Sequence, residues 1–368
     1  MDLNFAKKLF PQKGIIGIDI GNYAVKLISF IEEKKIIKLK DWGYIPLGFA
    51  QDATPEEKQA FISEEIKKYL KKKGIQFKFA ATSISGNSVI VRYVKFPKLS
   101  KKEMVLSLSI EAEPFIPFDV NDVNLTYWPL EDVTEEGQPK MEIVLVAAKK
   151  DMIDSKIEVL SDAGLDPVLI DVDAFALETL YEWQNPEASD SAILFLNIGH
   201  KVTNLSIIAK GVTRVVRDIF IAGASFDKSI SKSFKVDIDA AGELKKQKGV
   251  LLSIEDKEAA IQDYDKEFLG VSKASHTVLQ DLYTEISRSI DFYLSQGEEQ
   301  SISRIMLAGG MANLGNISKY MSEKFKVPVE ILNPLSSLGE ETKNIPKDVL
   351  PALAVATGLA LRKLKDWE

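Results

Sequence analysis

Residues 14–30 read GIIGIDIGNYAVKLISF, and the organisation of the whole chain can be worked out from this stretch. The apolar runs on either side of Gly21, rich in β-branched residues, predict two strands joined by a tight turn. Asp19 lies where the first strand ends, and the glycine after it lets backbone N–H groups approach an anion such as phosphate. The same pattern is also ordinary hairpin chemistry, so this stretch alone leaves both interpretations open.

The pattern returns at Ala192–Ile208, which reads AILFLNIGHKVTNLSII. Asn197 stands in the place of Asp19, and Gly199 stands in the place of Gly21, with apolar residues flanking both. A repeat of this kind indicates an internal duplication, although two unrelated hairpins could resemble each other by chance. Two such hairpins facing each other across a cleft would hold the phosphates of a nucleotide between two lobes.

Composition narrows the class of protein. The chain has 368 residues, which suggests two or three domains or one bilobal α/β body. The sequence contains no cysteine, which excludes disulfides, thiolate metal sites and cysteine nucleophiles. A net charge of −7 argues against a nucleic-acid-binding protein. With no signal-peptide core and no run of roughly 20 apolar residues, we expect a cytoplasmic protein.

Between the two hairpins, Val89–Leu165 is predicted to form a β-α-β-β-α unit inserted as a small subdomain. Ser100 and Glu103 predict a capping box at the start of its first helix. The segment Glu111–Pro129 is rich in aromatic residues and proline, which suits a peptide-recognition surface or a sealed helix–strand junction equally well. At the other end of the chain, Met1–Phe10 is compatible with a short docking helix or a frayed terminus.

A third glycine element, LAGG at Leu307–Gly310, lies between a predicted strand and a predicted helix. A backbone without side chains there would let a base or ribose approach, although a simple tight turn has the same sequence. The P-loop pattern, the G-x-G-x-x-G pattern and the G-x-S-x-G nucleophile elbow are absent. His200 and His276 lack the spacing of paired metal ligands.

Three motifs in this order, GIDIG, LNIGHKVT and MLAGG, resemble the two phosphate motifs and the adenosine motif of the actin-like ATPase superfamily. The stretches LSKKEMVLSLSIEAEPFIPF, MEIVLVAAKKDMIDSKIEVLSDAGLDPVLIDVDAFAL and EISRSIDFYLSQ resemble the PilM family of type IV pilus assembly. The resemblance covers essentially the whole chain. It implies an α/β, actin-like ATPase fold with two lobes of related βββαβα-type domains and a small inserted α/β subdomain in the first lobe.

The resemblance also implies domain boundaries. The first lobe would comprise residues 1–88 and 166–190, with the inserted subdomain at 89–165. The second lobe would comprise residues 191–352, and residues 353–368 would form a C-terminal helix packing back on the first lobe.

Nucleotide-binding roles follow from the resemblance residue by residue. The matching positions are Asp19, Gly21, Asn22, Lys26, Asn197, Gly199, Thr203, Lys245, Gly309 and Gly310. Asp19 would hold Mg²⁺ through water, and Asp173 is the candidate catalytic residue that would orient the attacking water. Asn22 and Asn197 depart from the usual hydroxyl and aspartate, and Gly242 stands where a ribose-binding glutamate is usual. These departures argue for bound ATP that turns over slowly or not at all.

PilM-type proteins are adaptors, so the resemblance implies partners as well as ATP and Mg²⁺. The expected partner is the N-terminal cytoplasmic tail of a PilN-like inner-membrane protein, held in a groove that Glu111–Pro129 helps to shape. Other pilus assembly proteins and motor ATPases are further expected partners, nucleic acid is not, and the membrane is reached only through a partner. The alternatives are an FtsA-like cell-division protein, a small-molecule kinase of the same superfamily and a secretion-system counterpart.

Overall fold

The structure is a computed structural model that describes residues 14–34, 36–49, 53–187, 191–251, 254–296 and 301–362. The predicted helix at Met1–Phe10 lies outside these ranges, and so do residues 363–368 of the predicted C-terminal segment. The strands are β1 (Ile16–Ile20), β2 (Ala24–Glu33), β3 (Ile36–Pro46), β4 (Phe79–Ile84), β5 (Val89–Pro97), β6 (Val123–Glu135), β7 (Gln138–Lys149), β8 (Asp166–Val172), β9 (Ala192–Ile198), β10 (Thr203–Ala209), β11 (Val212–Ile219), β12 (Ile302–Ala308) and β13 (Val329–Ile331). The α-helices are α1 (Pro55–Lys73), α2 (Lys101–Ala112), α3 (Lys150–Asp162), α4 (Asp173–Gln184), α5 (Gly223–Phe234), α6 (Ile238–Lys248), α7 (Ile254–Gln262), α8 (Lys266–Ser295), α9 (Ile317–Phe325) and α10 (Ala354–Leu361).

Two five-stranded sheets share one topology. The first has the order β3-β2-β1-β4-β8, and the second has the order β11-β10-β9-β12-β13. In each, an antiparallel meander of three strands is followed by two strands parallel to the first strand of that meander. The expected pair of related lobes is therefore present, and the two glycine hairpins begin corresponding sheets.

The hairpins also share their register. Asp19 lies opposite Lys26 across β1 and β2, and Asn197 lies opposite Asn204 across β9 and β10. Because side chains alternate between the faces of a strand, an identical register places these pairs on the same face of each sheet.

Helices α4 and α10 lie between the sheets and join them. Their buried residues Ala176, Leu177, Val355 and Leu359 share one apolar cluster with Phe195 of the second sheet. Contact between the two helices is so close that a Cβ at Gly358 would lie 1.8 Å from the carbonyl oxygen of Ala176. The core that joins the lobes is therefore built on backbone-to-backbone packing, which larger side chains would prevent.

The inserted unit is a three-stranded sheet of order β5-β7-β6 with α2 on one face. The capping box of Ser100 and Glu103 is present as predicted, and Met104 of α2 is fully buried. The predicted unit extends to residue 165 and so includes α3, which buries Val159 and Leu160 in the core of the first sheet and packs Met152 and Ile153 on the cluster that holds Val89 and Val144 of the inserted sheet. Helix α3 therefore contacts both sheets, and the boundary at residue 165 stays a prediction.

Two further helices differ from the sequence predictions. The helical spacing of Leu279, Leu282 and Ile286 predicts a long helix over Ser275–Gln296, whereas α8 begins at Lys266 and contains Gly270. Glycine disfavours a helix interior, but here a Cβ would lie 2.5 Å from the Phe234 ring, so close packing accounts for it. Helix α7 was not predicted at all. In the described ranges, no helix has the length and apolarity needed to cross a membrane.

Candidate functional site

An ion pair defines the first hairpin. The Oδ2 atom of Asp19 lies 2.7 Å from Nζ of Lys26, and the two side chains are only 15% and 13% exposed. A Cβ at Gly21 would lie 2.6 Å from that Nζ, so the glycine leaves room for the lysine. The N–H of Gly21 donates to the carbonyl of Ala24 within the turn. The fold therefore brings together three of the predicted residues, Asp19, Gly21 and Lys26. The two charges form a pair that is mostly shielded from water.

Asp173 is the first residue of α4 and lies close enough to Asp19 to be influenced by its charge. Burial is the main cause that raises the pKa of Asp173 to about 7, and the negative charge of Asp19 adds to it. Hydrogen bonds from Ser83 and Ser85 act in the opposite direction. A carboxyl group that exchanges a proton near neutral pH is suited to acid–base work, and the catalytic role of Asp173 stays a prediction.

Lys156 of α3 completes this cluster, and the sequence reasoning missed it. Its Nζ donates to the carbonyl of Ile20, the residue directly before Gly21, at 3.0 Å. Burial lowers the pKa of Lys156, while the charges of Asp19 and Asp173 oppose that shift. A lysine in an amphipathic helix far from the glycine motifs carries no local signal that would have identified it.

The corresponding pair on the second hairpin is neutral. The side-chain amide of Asn197 donates to Oδ1 of Asn204 at 2.9 Å, and Asn204 donates to Oδ1 of Asp218 at 2.6 Å. The other oxygen of Asp218 accepts from the backbone N–H of Gly86 in the first lobe. Burial raises the pKa of Asp218, and these hydrogen bonds oppose the shift. Asn204 and Asp218 were not predicted, although counting the register of the duplicated hairpin would have led to Asn204.

Thr203 and Lys245 already have protein partners. The Thr203 hydroxyl is buried and donates to the carbonyl of Ile221 at 2.7 Å. Nζ of Lys245 lies 2.6 Å from Oδ1 of Asp227 and donates to the carbonyl of Gly223 at 3.3 Å. Both side chains thus hold the start of α5 in place beside the second hairpin.

The remaining glycines lie beside Asn197. The N–H of Gly199 donates to the carbonyl of Val202 at 3.0 Å, as Gly21 does in the first turn. Gly309 has φ 84°, and a Cβ there would lie 2.7 Å from Oδ1 of Asn197. At Gly310 a Cβ would meet nothing within 4 Å. Gly309 therefore permits a close approach between two turns, and Gly310 offers backbone that a flat ligand can reach.

The tips of the two hairpins meet. The rings of Tyr23 and His200 have centroids 5.5 Å apart, and Nζ of Lys246 lies 3.3 Å from the Tyr23 hydroxyl. Asn22 is exposed beside this contact. The structure thus brings the two predicted phosphate turns together, through Tyr23, His200 and Lys246, which were not among the predicted site residues.

The sequence and the fold of this chain both match known proteins. The family model described as type IV pilus assembly protein PilM matches residues 17–364. The chain belongs to the PilM family. It is 28% identical to a chain of a solved structure described as the PilM-PilN type IV pilus biogenesis complex, with a TM-score of 0.79, covering 96% of this chain and 99% of that chain.

The ethanolamine utilization protein EutJ from Carboxydothermus hydrogenoformans has the same fold. It is 14% identical, with a TM-score of 0.54, and the match covers 96% of this chain and 90% of that one. The α/β architecture predicted from the three glycine motifs, the actin-like ATPase fold, is confirmed. Membership of the PilM family also selects pilus assembly from the alternatives that the sequence left open.

Proposed function

We propose that this PilM-family protein is a nucleotide-binding adaptor of a type IV pilus assembly machine. It would bind ATP with Mg²⁺ between the lobes and hold the N-terminal tail of a PilN-like inner-membrane protein. The observation that carries the proposal is the family match, together with similarity at 28% identity to a chain of a PilM-PilN complex over nearly the full length of both.

The residues of the first hairpin fit a nucleotide with Mg²⁺. Lys26 and Lys156 supply positive charge beside the turn, and Asp19 supplies a carboxylate in the same cluster. Mg²⁺ keeps most of its water ligands and commonly uses only one or two carboxylates, so Asp19 is sufficient to hold it through water. When bound, Mg²⁺ would neutralise charge on the phosphates. Lys26, which is paired with Asp19 in this structure, would supply charge to the phosphate oxygens.

Hydrolysis is proposed to be slow or absent. Asp173 would accept a hydrogen bond from the attacking water, since its carboxyl group faces the same cluster as Asp19. Asn197 carries no charge, and its amide is engaged with Asn204. The second hairpin therefore lacks the carboxylate that would help to hold Mg²⁺ during phosphoryl transfer, a reaction that depends on positioning and charge.

For the tail peptide we propose the face of the inserted unit that carries the aromatic segment. Trp128 of β6 is 72% exposed, and Phe115 after α2 is 38% exposed. β6 lies at an edge of its sheet, so an extended peptide could add to it through main-chain hydrogen bonds. Exposed aromatic side chains next to such an edge suit the apolar residues of a membrane protein's tail.

The proposed location is cytoplasmic, at the inner membrane through the PilN-like partner. Motor ATPases and other assembly proteins would be reached through the same adaptor role. No nucleic acid partner is proposed, because the net charge of −7 gives no general attraction to phosphate backbones.

The test uses a fluorescently labelled N-terminal tail peptide of a PilN-like protein. We expect its anisotropy to rise with added protein, and we expect Trp128→Ala to weaken binding by about 10-fold, as for an interface aromatic residue. Tyr264→Ala is the matched control, because Tyr264 is 83% exposed and lies far along the chain from the inserted unit. No anisotropy change at high micromolar protein would contradict the adaptor proposal.

A further inference from the structure

Lys156 is a charged residue at the first hairpin that no motif assigns. Its Nζ lies 3.0 Å from the carbonyl oxygen of Ile20, and its surroundings include Asp19, Lys26 and Asp173. Two carboxylates and two ammonium groups therefore share one partly buried cluster at the ends of β1 and β8. In such surroundings each charge depends on its neighbours, because water screens them poorly.

The two lysines of this cluster have different partners. Lys26 forms its ion pair with Asp19, whereas Lys156 donates to a backbone carbonyl that carries no formal charge. The ammonium group of Lys156 is thus held at the turn without a carboxylate partner of its own at hydrogen-bonding distance among the described contacts. Burial lowers the pKa of Lys156 and the carboxyl groups of Asp19 and Asp173 oppose that shift, so an anion that enters beside them would favour the ammonium form.

A triphosphate needs such a charge more than a diphosphate does. Its terminal phosphate would lie next to Asp173, the proposed catalytic residue, and two negative groups at that distance repel each other. A diphosphate leaves that position empty. A positive charge beside Asp19 and Asp173 would therefore favour the triphosphate over the diphosphate.

We propose that Lys156 is a further residue of the nucleotide site, which positions the first hairpin through Ile20 and favours ATP over ADP through its charge. This inference rests on the proposed nucleotide-binding function and deepens it. Helix α3 begins at Lys150, directly after β7 of the inserted unit ends at Lys149. Lys156 is therefore less than two turns of helix from the subdomain proposed to hold the tail peptide.

The test compares the affinities of nucleotide-stripped protein for ATP and for ADP by calorimetry with Mg²⁺ present. Lys156→Gln keeps a donor for the Ile20 carbonyl and removes the charge. We expect its affinity for ATP to fall by about 10-fold, the effect of one charge-assisted hydrogen bond, and its affinity for ADP to change much less. Lys156→Arg keeps the charge and should retain the ATP-to-ADP affinity ratio.

The matched control is Lys150→Gln on the same helix, because the Lys150 Nζ donates to the Asn121 carbonyl away from the cluster. An unchanged ATP-to-ADP ratio in Lys156→Gln would overturn the inference. The inference would also be overturned if Lys156→Gln and Lys156→Arg both weakened ATP binding and ADP binding by the same factor. That is the result expected for a purely structural lysine. Wild-type protein that binds neither nucleotide would instead overturn the proposed function, and this inference with it.

A second variant covers the case in which Lys156→Gln does not fold. Asp173→Asn removes the negative charge that Lys156 offsets, so the ATP-to-ADP affinity ratio should rise several-fold. A ratio equal to that of the wild type would contradict a charge balance at this position.

Discussion

The two sheets carry different polar rows at the same place in the fold. Across β1, β2 and β3 the row is Asp19, Lys26 and Tyr44, and across β9, β10 and β11 it is Asn197, Asn204 and Asp218. The first row has an ion pair next to the turn. The second has an amide pair next to the turn and its carboxylate one strand further away. The backbone of the duplicated unit is the same, and the position of charge differs.

This difference separates two tasks. The first row places the ion pair of Asp19 and Lys26 at the turn, where we propose that a phosphate binds. The side chains of the second row hydrogen-bond to one another. At the end of the row, Asp218 accepts a hydrogen bond from the backbone N–H of Gly86 in the other lobe. A buried and satisfied amide chain fixes geometry and contributes little charge to a ligand. The duplication thus yields one hairpin with an ion pair at its turn, which we propose binds the nucleotide, and one whose hydrogen bonds reach the other lobe.

The largest expected effect concerns the helices that both sheets share. Gly358→Ala should lower the free energy of unfolding by about 3 kcal/mol or more, because the new Cβ would collide with the Ala176 carbonyl, and backbone cannot move aside as a side chain can. Urea denaturation measures the change. Gly48→Ala is the control, since a Cβ there meets nothing within 4 Å. A loss similar to that of the control would show that α4 and α10 do not join the lobes as described.

The pH dependence of stability tests the first row. The pKa of Asp173 is raised to about 7 in the folded protein, above the ordinary aspartate value. The folded state therefore binds this proton more tightly, and its contribution to stability is present at low pH and lost as pH rises toward 7. Relative to Asp173→Asn, the wild type should lose up to about 1.4 kcal/mol per pH unit between roughly pH 4 and 7. Parallel stability curves for the two proteins would contradict the shifted pKa.

Placing the residues of the first row into the second hairpin tests whether the amide pair of that hairpin stabilises the fold. Asn197→Asp should cost about 1–3 kcal/mol of stability, because a carboxylate oxygen would face Oδ1 of Asn204. Asn204 cannot turn its amide around without losing its bond to Asp218.

Adding Asn204→Lys to that variant rebuilds the pair of the first hairpin on the second. The double variant should recover part of the loss, and a double-mutant cycle measures the coupling. If the two substitutions change the free energy of unfolding by strictly additive amounts, the new Asp and Lys do not form an ion pair like that of the first hairpin.

The smallest expected effect is at the hairpin tips. Tyr23→Ala removes the ring contact with His200 and the contact with Lys246, both near the surface. We expect a loss below about 1 kcal/mol, as for a single partly exposed aromatic pair. Urea denaturation that shows a loss above about 2 kcal/mol would mean that the tips, and not the internal row of the second hairpin, hold the lobes together.

Much of the fold was predictable from local signals. The hairpins, the capping box at Ser100 and the common topology follow from strand patterning, capping chemistry and the repeat. The start of α8 could not be predicted, since Gly270 is tolerated only because it packs on Phe234. The boundary of the inserted unit is also hard to predict, because the apolar stripe of α3 does not reveal from sequence alone which sheet it packs on.

The parts of the candidate site that depend on backbone turns were predictable from the sequence. Gly21, Gly199 and Gly309 lie at turns, as their motifs predict. The side-chain partners were harder to predict. Thr203 and Lys245 bond within the protein, and Lys156 reaches the first turn from a distant helix. Such partners depend on how separate elements pack, which no single motif encodes.

Calorimetric titration of MgATP into nucleotide-stripped protein tests the central claim most directly, with the wild type and Asp19→Asn compared under the same conditions. If the first hairpin carries the binding charge, the wild type should bind one ATP, and Asp19→Asn should bind it at least about 10-fold more weakly when Mg²⁺ is present. No binding by the wild type, or equal affinity in the two proteins, would contradict the account.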